Sequence, residues 1–136
     1  MHPRSSPGPR VRIRVDLAPG CSLGPGKVSL LEAIDAEGSL TLAARRLEMS
    51  YRRAWNLLDD LNRSFAMPMV ETAVGGRSGG GAQLTESGRA LIHAFRDLER
   101  GTARLAGKMR KFSPPRGRRS ATGRTTPLSL RGRAGR

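Results

Sequence analysis

The chain has 136 residues and a formal net charge of +14 at pH 7, with 25 Lys or Arg against 11 Asp or Glu. This length suits roughly one domain, because typical domains contain about 100–150 residues, and it excludes a sizeable second domain. A strongly basic chain favours an acidic polymer as its partner. No apolar run approaches the ~18 residues of a membrane span, and the first residues lack a signal peptide's hydrophobic segment. We therefore expect neither membrane insertion nor secretion.

The positive charge is concentrated at the two ends. Residues 11–112 hold 16 Lys or Arg against 11 Asp or Glu, which leaves +5. Two Arg precede this segment and seven follow it, with no acid in either end. We predict a disordered basic N-terminus at 1–9, one folded domain at 10–112 and a disordered Arg-rich tail at 113–136.

The Cys and His residues indicate no catalytic or metal centre. Cys21 is the only cysteine, so the chain cannot form an intramolecular disulfide, and no Cys and His residues have zinc-ligand spacing. The two histidines, His2 and His93, have no nucleophile or carboxylate constellation around them. We predict no enzyme activity, no metal and no cofactor, and a location in the reducing cytoplasm.

The first elements are a strand and a helix. Residues 10–17 alternate apolar and polar side chains, which predicts an edge strand with one buried face. That face would carry Val11, Ile13, Val15 and Leu17. Residues 19–26 are a turn-rich connection, and residues 27–37 have apolar side chains at helical spacing before Gly38, a typical C-terminal stop.

Two short capped segments then predict a helix-turn-helix over residues 39–58. Ser39 and Ser50 can each cap a helix by accepting a backbone N–H bond, and three residues separate the two helices. Glu48 departs from many helix-turn-helix sequences, which place Gly at this position to adopt a left-handed backbone. The inner contacts are predicted for Ala43 or Ala44, Leu47, Met49, Ala54 and Leu57.

The second helix of this motif is the predicted recognition helix. Its apolar stripe comprises Ala54, Leu57, Leu58, Leu61 and Phe65, and its outward side comprises Arg52, Asn56, Asp59 and Arg63. Arg pairs with guanine and Asn with adenine in the major groove, and the first turn of such a helix penetrates deepest. We assign DNA contacts to Ser50, Tyr51, Arg52, Arg53 and Asn56. The alternative is that Tyr51 and Trp55 are core or interface aromatics and the arginines a solvated face.

A β-hairpin wing is predicted after Pro68. Residues 69–74 form its first strand, the glycine-rich residues 75–81 its tip and residues 82–84 its returning strand. The tip is no Walker loop, because no Gly-Lys-Ser or Gly-Lys-Thr run opens a helix after it. Arg77 at the tip could contact the DNA backbone or enter a minor groove, and the alternative is a merely mobile turn.

The last predicted helix spans residues 86–112 and begins after Thr85, its expected cap. Apolar side chains recur every seven residues along it in two rows that form one seam. We predict a homodimer through this helix, because a second copy is the simplest cover for such a seam. The predicted interface residues are Leu91, Phe95, Leu98, Leu105 and Met109. The alternative is that the first three pack on their own domain and the helix frays beyond Gly101.

Residues 49–62 and 70–85 resemble the N-terminal DNA-binding domain of the ModE family of molybdate-responsive regulators. The Ser-Tyr-Arg-Arg-Ala-Trp run and the glycine-rich wing distinguish that family from its LysR-type relatives, which share the patterns at 39–47 and 84–88. The resemblance covers about residues 10–110. It implies a winged helix, a dimer and a role in transcription.

The resemblance does not extend to molybdate binding. ModE repressors of full length bind molybdate between C-terminal domains, whereas the long helix of this sequence is followed by the Arg-rich residues 113–136. No anion site can be transferred to residues that are absent, so the resemblance does not support molybdate sensing by this chain itself. Two alternatives stay open: regulation of molybdenum genes with a separate sensor, and regulation of other genes.

The sequence thus predicts a mainly α fold with a small β wing, a winged helix-turn-helix with a long C-terminal helix. The leading functional hypothesis is a dimeric transcription regulator that binds operator DNA and that the resemblance associates with molybdate transport or molybdenum-related genes. The second is an architectural DNA- or RNA-binding protein in which the Arg-rich tail dominates. The third is a protein-interaction module that dimerises without affinity for DNA.

Overall fold

The structure, a computed structural model, describes residues 8–73 and 81–114. These residues form four α-helices and two antiparallel β-hairpins. The first hairpin pairs β1 with β2, and the second, the wing, pairs β3 with β4. The predicted fold class, a winged helix-turn-helix with a long C-terminal helix, is confirmed. The elements are β1 (Val15–Ala18), β2 (Cys21–Leu23), α1 (Pro25–Glu37), α2 (Leu40–Arg46), α3 (Tyr51–Ser64), β3 (Val70–Thr72), β4 (Ala82–Leu84), α4 (Glu86–Ala106) and a 3₁₀ segment (Gly107–Phe112).

Helix α1 lies at the centre of the core. Pro25 occupies its first turn, where the absent N–H costs nothing, and Gly38 ends it in the left-handed conformation with φ 68°, as predicted. The helix packs against α2, α3, α4 and β4. Its apolar side chains cover much of its circumference, and the buried ones are Val28, Leu30, Leu31, Ala33 and Ile34.

The helix-turn-helix forms as its caps predict. The Ser39 hydroxyl accepts the N–H of Leu42 at 3.3 Å, and the Ser50 hydroxyl accepts the N–H of Arg53 at 3.2 Å. Each bond satisfies one of the backbone donors that a helix start leaves without an intrahelical partner. We predicted an inner contact for Ala43 or Ala44, and both are buried.

The turn between α2 and α3 adopts a Schellman motif with Glu48 in the left-handed conformation, at φ 55°. The N–H of Glu48 donates to the carbonyl of Arg45 at 3.1 Å, and the N–H of Met49 donates to the carbonyl of Ala44 at 3.0 Å. These bonds hold a backbone conformation that costs a residue with a Cβ roughly 1–2 kcal/mol. The missing glycine therefore does not prevent the turn.

The N-terminal strand is shorter than predicted, and its predicted buried face fails at Leu17, whereas Ile13 and Val15 pack against the core. The strand covers Val15–Ala18 instead of residues 10–17, and Leu17 is 59% exposed. An irregularity in pairing between Asp16 and Ala18 interrupts the alternation of faces, as a β-bulge does. The segment predicted as a turn-rich connection contains strand β2, which pairs with β1 across a turn at Gly20, φ 75°.

The observed boundaries of the wing strands and of α4 lie closer to the predicted ones. The wing strands are Val70–Thr72 and Ala82–Leu84, against predictions of 69–74 and 82–84. Helix α4 ends at Ala106 and continues as the 3₁₀ segment, whereas we predicted one helix over 86–112. The predicted wing tip at 75–81 and the predicted tails lie largely outside the described residues, so the domain limits stay predictions.

The start of α4 is fastened to the strand that enters the wing. The Thr85 hydroxyl accepts the N–H of Gly88 at 3.0 Å, which confirms the predicted cap, and donates to the carbonyl of Pro68 at 2.7 Å. Gly88 is buried so close to Met69 that a Cβ at this position would lie 2.3 Å from the Met69 carbonyl oxygen. The glycine thus permits a contact between two backbones.

We expect Gly88→Ala to destabilise the domain by about 2–3 kcal/mol, because the backbone of Met69 must move to accept the methyl group. Gly26→Ala in helix α1 is the matched control, since no atom lies within 4 Å of its added Cβ. The control should stabilise the domain by about 0.5–1 kcal/mol. Urea denaturation measures both changes, and equal effects would contradict the close approach.

Candidate nucleic-acid interface

Helix α3 turns one face to the core and the opposite face to solvent. Ala54, Leu58 and Leu61 are buried, and Arg52 and Asn56 are exposed on the far side. The predicted outward side also includes Asp59 and Arg63, which form an ion pair with each other one turn apart. The amphipathic pattern therefore places the recognition candidates on the accessible face.

The structure brings together four of the six predicted DNA-binding residues. Ser50, Arg52, Arg53 and Asn56 line one shallow surface depression at the N-terminal half of α3. The Ser50 hydroxyl oxygen accepts the cap bond, and its O–H remains a donor that a phosphate oxygen can accept. A hydroxyl, two guanidinium groups and an amide thus occur on one patch, a combination suited to phosphate and base-edge contacts.

Arg52 and Arg53 keep their guanidinium donors available. Within residues 8–73 and 81–114, neither side chain takes part in an ion pair. A planar guanidinium donates two parallel hydrogen bonds to the O6 and N7 atoms of guanine or to a phosphate. These two residues can therefore bind DNA without first breaking an interaction with a described acid.

The remaining two predicted residues are Tyr51 and Arg77. Tyr51 is 55% exposed beside the depression, and Trp55, whose role the sequence left open, is 49% exposed one turn later. Neither aromatic ring belongs to the core of the domain, which removes the core alternative for both. Arg77 lies outside the described residues, so its contact with DNA stays a prediction.

Asn62 is a site residue that the sequence analysis missed. Its Oδ1 atom accepts the backbone N–H groups of Met69 at 2.9 Å and Val70 at 3.2 Å, and its Nδ2 atom donates to the Val70 carbonyl at 3.1 Å. One side chain of α3 thereby sets where the wing begins. A polar residue beside the buried Leu61 was the available signal.

The Lys27 and Asp60 pair was also missed. The ammonium of Lys27 in α1 pairs with the carboxylate of Asp60 in α3 and donates to the carbonyl of Ser22 at 2.7 Å. This hydrogen bond from Lys27 is the largest cause that lowers the pKa of Asp60. One cation thus connects the first hairpin, the central helix and the recognition helix.

The predicted dimer residues fall into two groups. Phe95 is only 2% exposed and Leu91 is partly buried, and both pack in the core of their own domain. Leu98, Leu105 and Met109 are 45%, 63% and 60% exposed. Only the C-terminal half of the seam is therefore exposed for contact with a second copy. Phe95 and Leu91 instead pack α4 against its own domain.

Two other kinds of site are absent from residues 8–73 and 81–114. No helix there has both the length and the apolar character needed to cross a membrane. The same residues contain no group of three or more His, Cys, Asp or Glu side chains that could hold a metal ion.

We expect Asn62→Ala to destabilise the domain by about 1–3 kcal/mol, because the buried backbone groups of Met69 and Val70 lose their partners. Asn56→Ala is the control on the exposed face of the same helix and should change stability by no more than about 0.5 kcal/mol. Urea denaturation gives the two values, and amide exchange at Met69 and Val70 locates the loss. Equal stabilities of the two variants would contradict the anchoring role.

Comparison with known proteins shows that part of this chain is similar to bacterial regulators. Residues 26–89, from α1 to the first turn of α4, match the family described as bacterial regulatory helix-turn-helix protein, lysR family. The chain is 41% identical over 88 residues to the molybdenum transport protein ModE of Azotobacter vinelandii, covering 65% of this chain and 33% of that protein. It is 44% identical over 85 residues to the molybdenum-pterin-binding protein MopA of Rhodobacter capsulatus, covering 62% and 32%.

A third relative is the DNA-binding transcriptional dual regulator ModE of Escherichia coli strain K12, 38% identical over 71 residues, or 52% of this chain and 27% of that protein. The matched part of this chain spans about a quarter to a third of the length of these curated relatives. The matched segment contains the caps, the turn, α3 and the wing strands described above. This chain therefore carries a LysR-type regulatory helix-turn-helix domain and is homologous to the ModE and MopA proteins.

Proposed function

We propose that this chain is a transcription regulator that binds operator DNA through the outward face of α3. The observation that carries the proposal is the depression formed by Ser50, Arg52, Arg53 and Asn56 on a LysR-type helix-turn-helix. A relative that shares this segment is named a DNA-binding transcriptional regulator. The reaction is binding alone, without catalysis, and the partner is double-stranded DNA.

Each residue of the depression has a distinct proposed role. The guanidinium groups of Arg52 and Arg53 and the amide of Asn56 contact base edges in the major groove. Ser50 donates to a phosphate at the N-terminus of α3, where the helix dipole also favours an anion. Tyr51 contacts DNA from the flank of the helix, and Arg77 of the wing contacts the backbone.

We infer the regulated genes and the location from the relatives. Two of them are named for molybdenum transport and molybdenum-pterin binding, which supports control of molybdenum-related genes. The matched family is bacterial, and bacterial chromosomal DNA lies in the cytoplasm, so we place the protein there. The proposal assigns no molybdate site to this chain.

The regulator acts as a homodimer in this proposal. Leu98, Leu105 and Met109 expose apolar surface at intervals that place them along one side of α4 and the 3₁₀ segment. Leu98 and Leu105 line a shallow, mostly apolar depression with Gly101, where a second copy of the helix can approach closely. A twofold dimer would read two half-sites of a palindromic operator.

A second candidate function is sequence-independent binding of DNA or RNA by the Arg-rich tail. Seven Arg and no acid in residues 113–136 favour it, because each Arg placed on a phosphate releases condensed counterions. In this candidate the folded domain only presents the tail. The two functions differ in what happens when the tail is removed.

We expect Arg52→Ala to reduce the preference for operator over random DNA by about tenfold to a hundredfold. The reason is the loss of a bidentate base contact, which contributes ~1–3 kcal/mol to discrimination. Genome-wide mapping of bound DNA supplies the operator, and anisotropy titrations at fixed salt measure the preference. Arg100→Ala on α4 is the control, since it removes the same charge from an exposed residue outside the interface.

Two outcomes of these titrations would contradict the regulator. One is an equal loss of preference in the Arg52 and Arg100 variants. The other is loss of all binding when residues 113–136 are deleted, which the tail-driven candidate predicts. The regulator predicts that the deleted chain keeps its operator preference and loses only part of its salt-dependent affinity.

We expect Leu105→Asp to convert the dimer to a monomer at micromolar concentration, because it places a charge in the apolar contact between two copies of α4. Ala103→Asp is the control, since Ala103 is exposed on the other side of the same helix. Sedimentation velocity measures both species. Dimers that persist in the Leu105 variant, or a wild-type chain that is monomeric, would contradict the interface.

A further inference from the structure

One acid lies among the residues proposed to bind DNA. Asp60 lines the same depression as Ser50, Arg52, Arg53 and Asn56, and its side chain is 48% exposed. An unpaired carboxylate at this place would repel the phosphates that the two arginines attract, because a charge acts over about a Debye length, ~8–10 Å at physiological salt. The depression therefore attracts a polyanion only if another charge balances the carboxylate of Asp60.

Lys27 supplies the balancing charge from another element. It is on α1, outside the helix-turn-helix, with a side chain only 14% exposed. Its ammonium pairs with the Asp60 carboxylate and is held by the Ser22 carbonyl at 2.7 Å, so a second contact fixes it in place. The hydrogen bond from Lys27 also lowers the pKa of Asp60, so this carboxylate stays ionised at neutral pH and is balanced by a cation instead of a proton.

We propose that Lys27 is a positioning residue of the DNA interface, which masks the charge of Asp60 so that Arg52 and Arg53 determine the field over the depression. This inference rests on the proposed DNA-binding function and extends the interface beyond α3 to α1. The pair serves two purposes at once. Asp60 fastens the recognition helix to α1 through Lys27, and Lys27 removes the repulsion that Asp60 would otherwise exert on DNA.

The chain offers a matched ion pair on another face of α1. Arg96 of α4 pairs with Glu32 of α1, and its side chain is 30% exposed. Glu32 lines a different depression, between α1 and α4, with Asp35 and His93. Replacing Arg96 changes the net charge of the chain by the same amount as replacing Lys27. A comparison of the two variants therefore separates local masking from total charge.

The experiment uses the full chain and compares Lys27→Met with Arg96→Met in operator titrations over a series of salt concentrations. We expect Lys27→Met to weaken operator binding about fivefold at low salt, a loss that shrinks as salt screens the exposed carboxylate. Arg96→Met should weaken binding less than about twofold. The double variant of Lys27→Met with Asp60→Asn should return to within about twofold of the wild type, because no unmasked carboxylate remains.

A further single variant keeps the inference testable if Lys27→Met does not fold. Asp60→Asn alone should strengthen operator binding about fivefold at low salt, because it frees the ammonium of Lys27 beside the depression. Glu32→Gln is its control and should strengthen binding less than about twofold. Thermal unfolding of every variant confirms that the titrations are made on folded protein.

Equal effects of the Lys27 and Arg96 variants, or of the Asp60 and Glu32 variants, would overturn the inference, since total charge would then explain them. A double variant as weak as Lys27→Met would also overturn it, because Lys27 would act through the fold and not by masking Asp60. The proposed function fails separately. It falls if the wild-type chain shows no preference for operator over random DNA, whatever the variants do.

Discussion

The burial of α1 is the constraint on which the rest of the structure depends. Leu30, Leu31 and Ile34 are fully buried, and each such side chain contributes about 1.5–3 kcal/mol relative to exposure. A helix that is apolar over much of its circumference must be covered from several directions. Helices α2, α3 and α4 and strand β4 provide that cover, so the position of each is set by its contact with α1.

The candidate interface follows from this arrangement. Helix α3 buries the stripe containing Ala54 and Leu58 against the core, which leaves its arginines on the outside. Two polar side chains then fix the orientations of α3 and of the wing, which the apolar contacts alone do not determine. Asn62 sets the start of the wing relative to α3, and Lys27 ties α3 to α1 and to the first hairpin. A hydrophobic contact tolerates sliding and rotation, whereas directional bonds of this kind fix one orientation.

Local signals in the sequence predicted most of the fold, and long-range contacts account for what they missed. Ser39 and Ser50 act on backbone donors a few residues away, so their caps could be read from the sequence. The exposure of Leu17 depends on an irregular strand pairing that alternation alone does not reveal. The partner of Lys27 lies 33 positions away in Asp60, a distance that only the tertiary structure bridges. The residues on the outer face of α3 were predictable because their placement follows from helical periodicity.

The most direct test of the account is an NMR titration of the isotope-labelled chain with operator DNA, following every backbone amide. DNA binding through α3 predicts the largest chemical-shift changes at the first turns of α3, from Tyr51 to Asn56, and small changes along α4. Changes confined to residues 113–136, or centred on α4, would contradict it. In that case the helix-turn-helix would be a scaffold, and DNA would bind elsewhere on the chain.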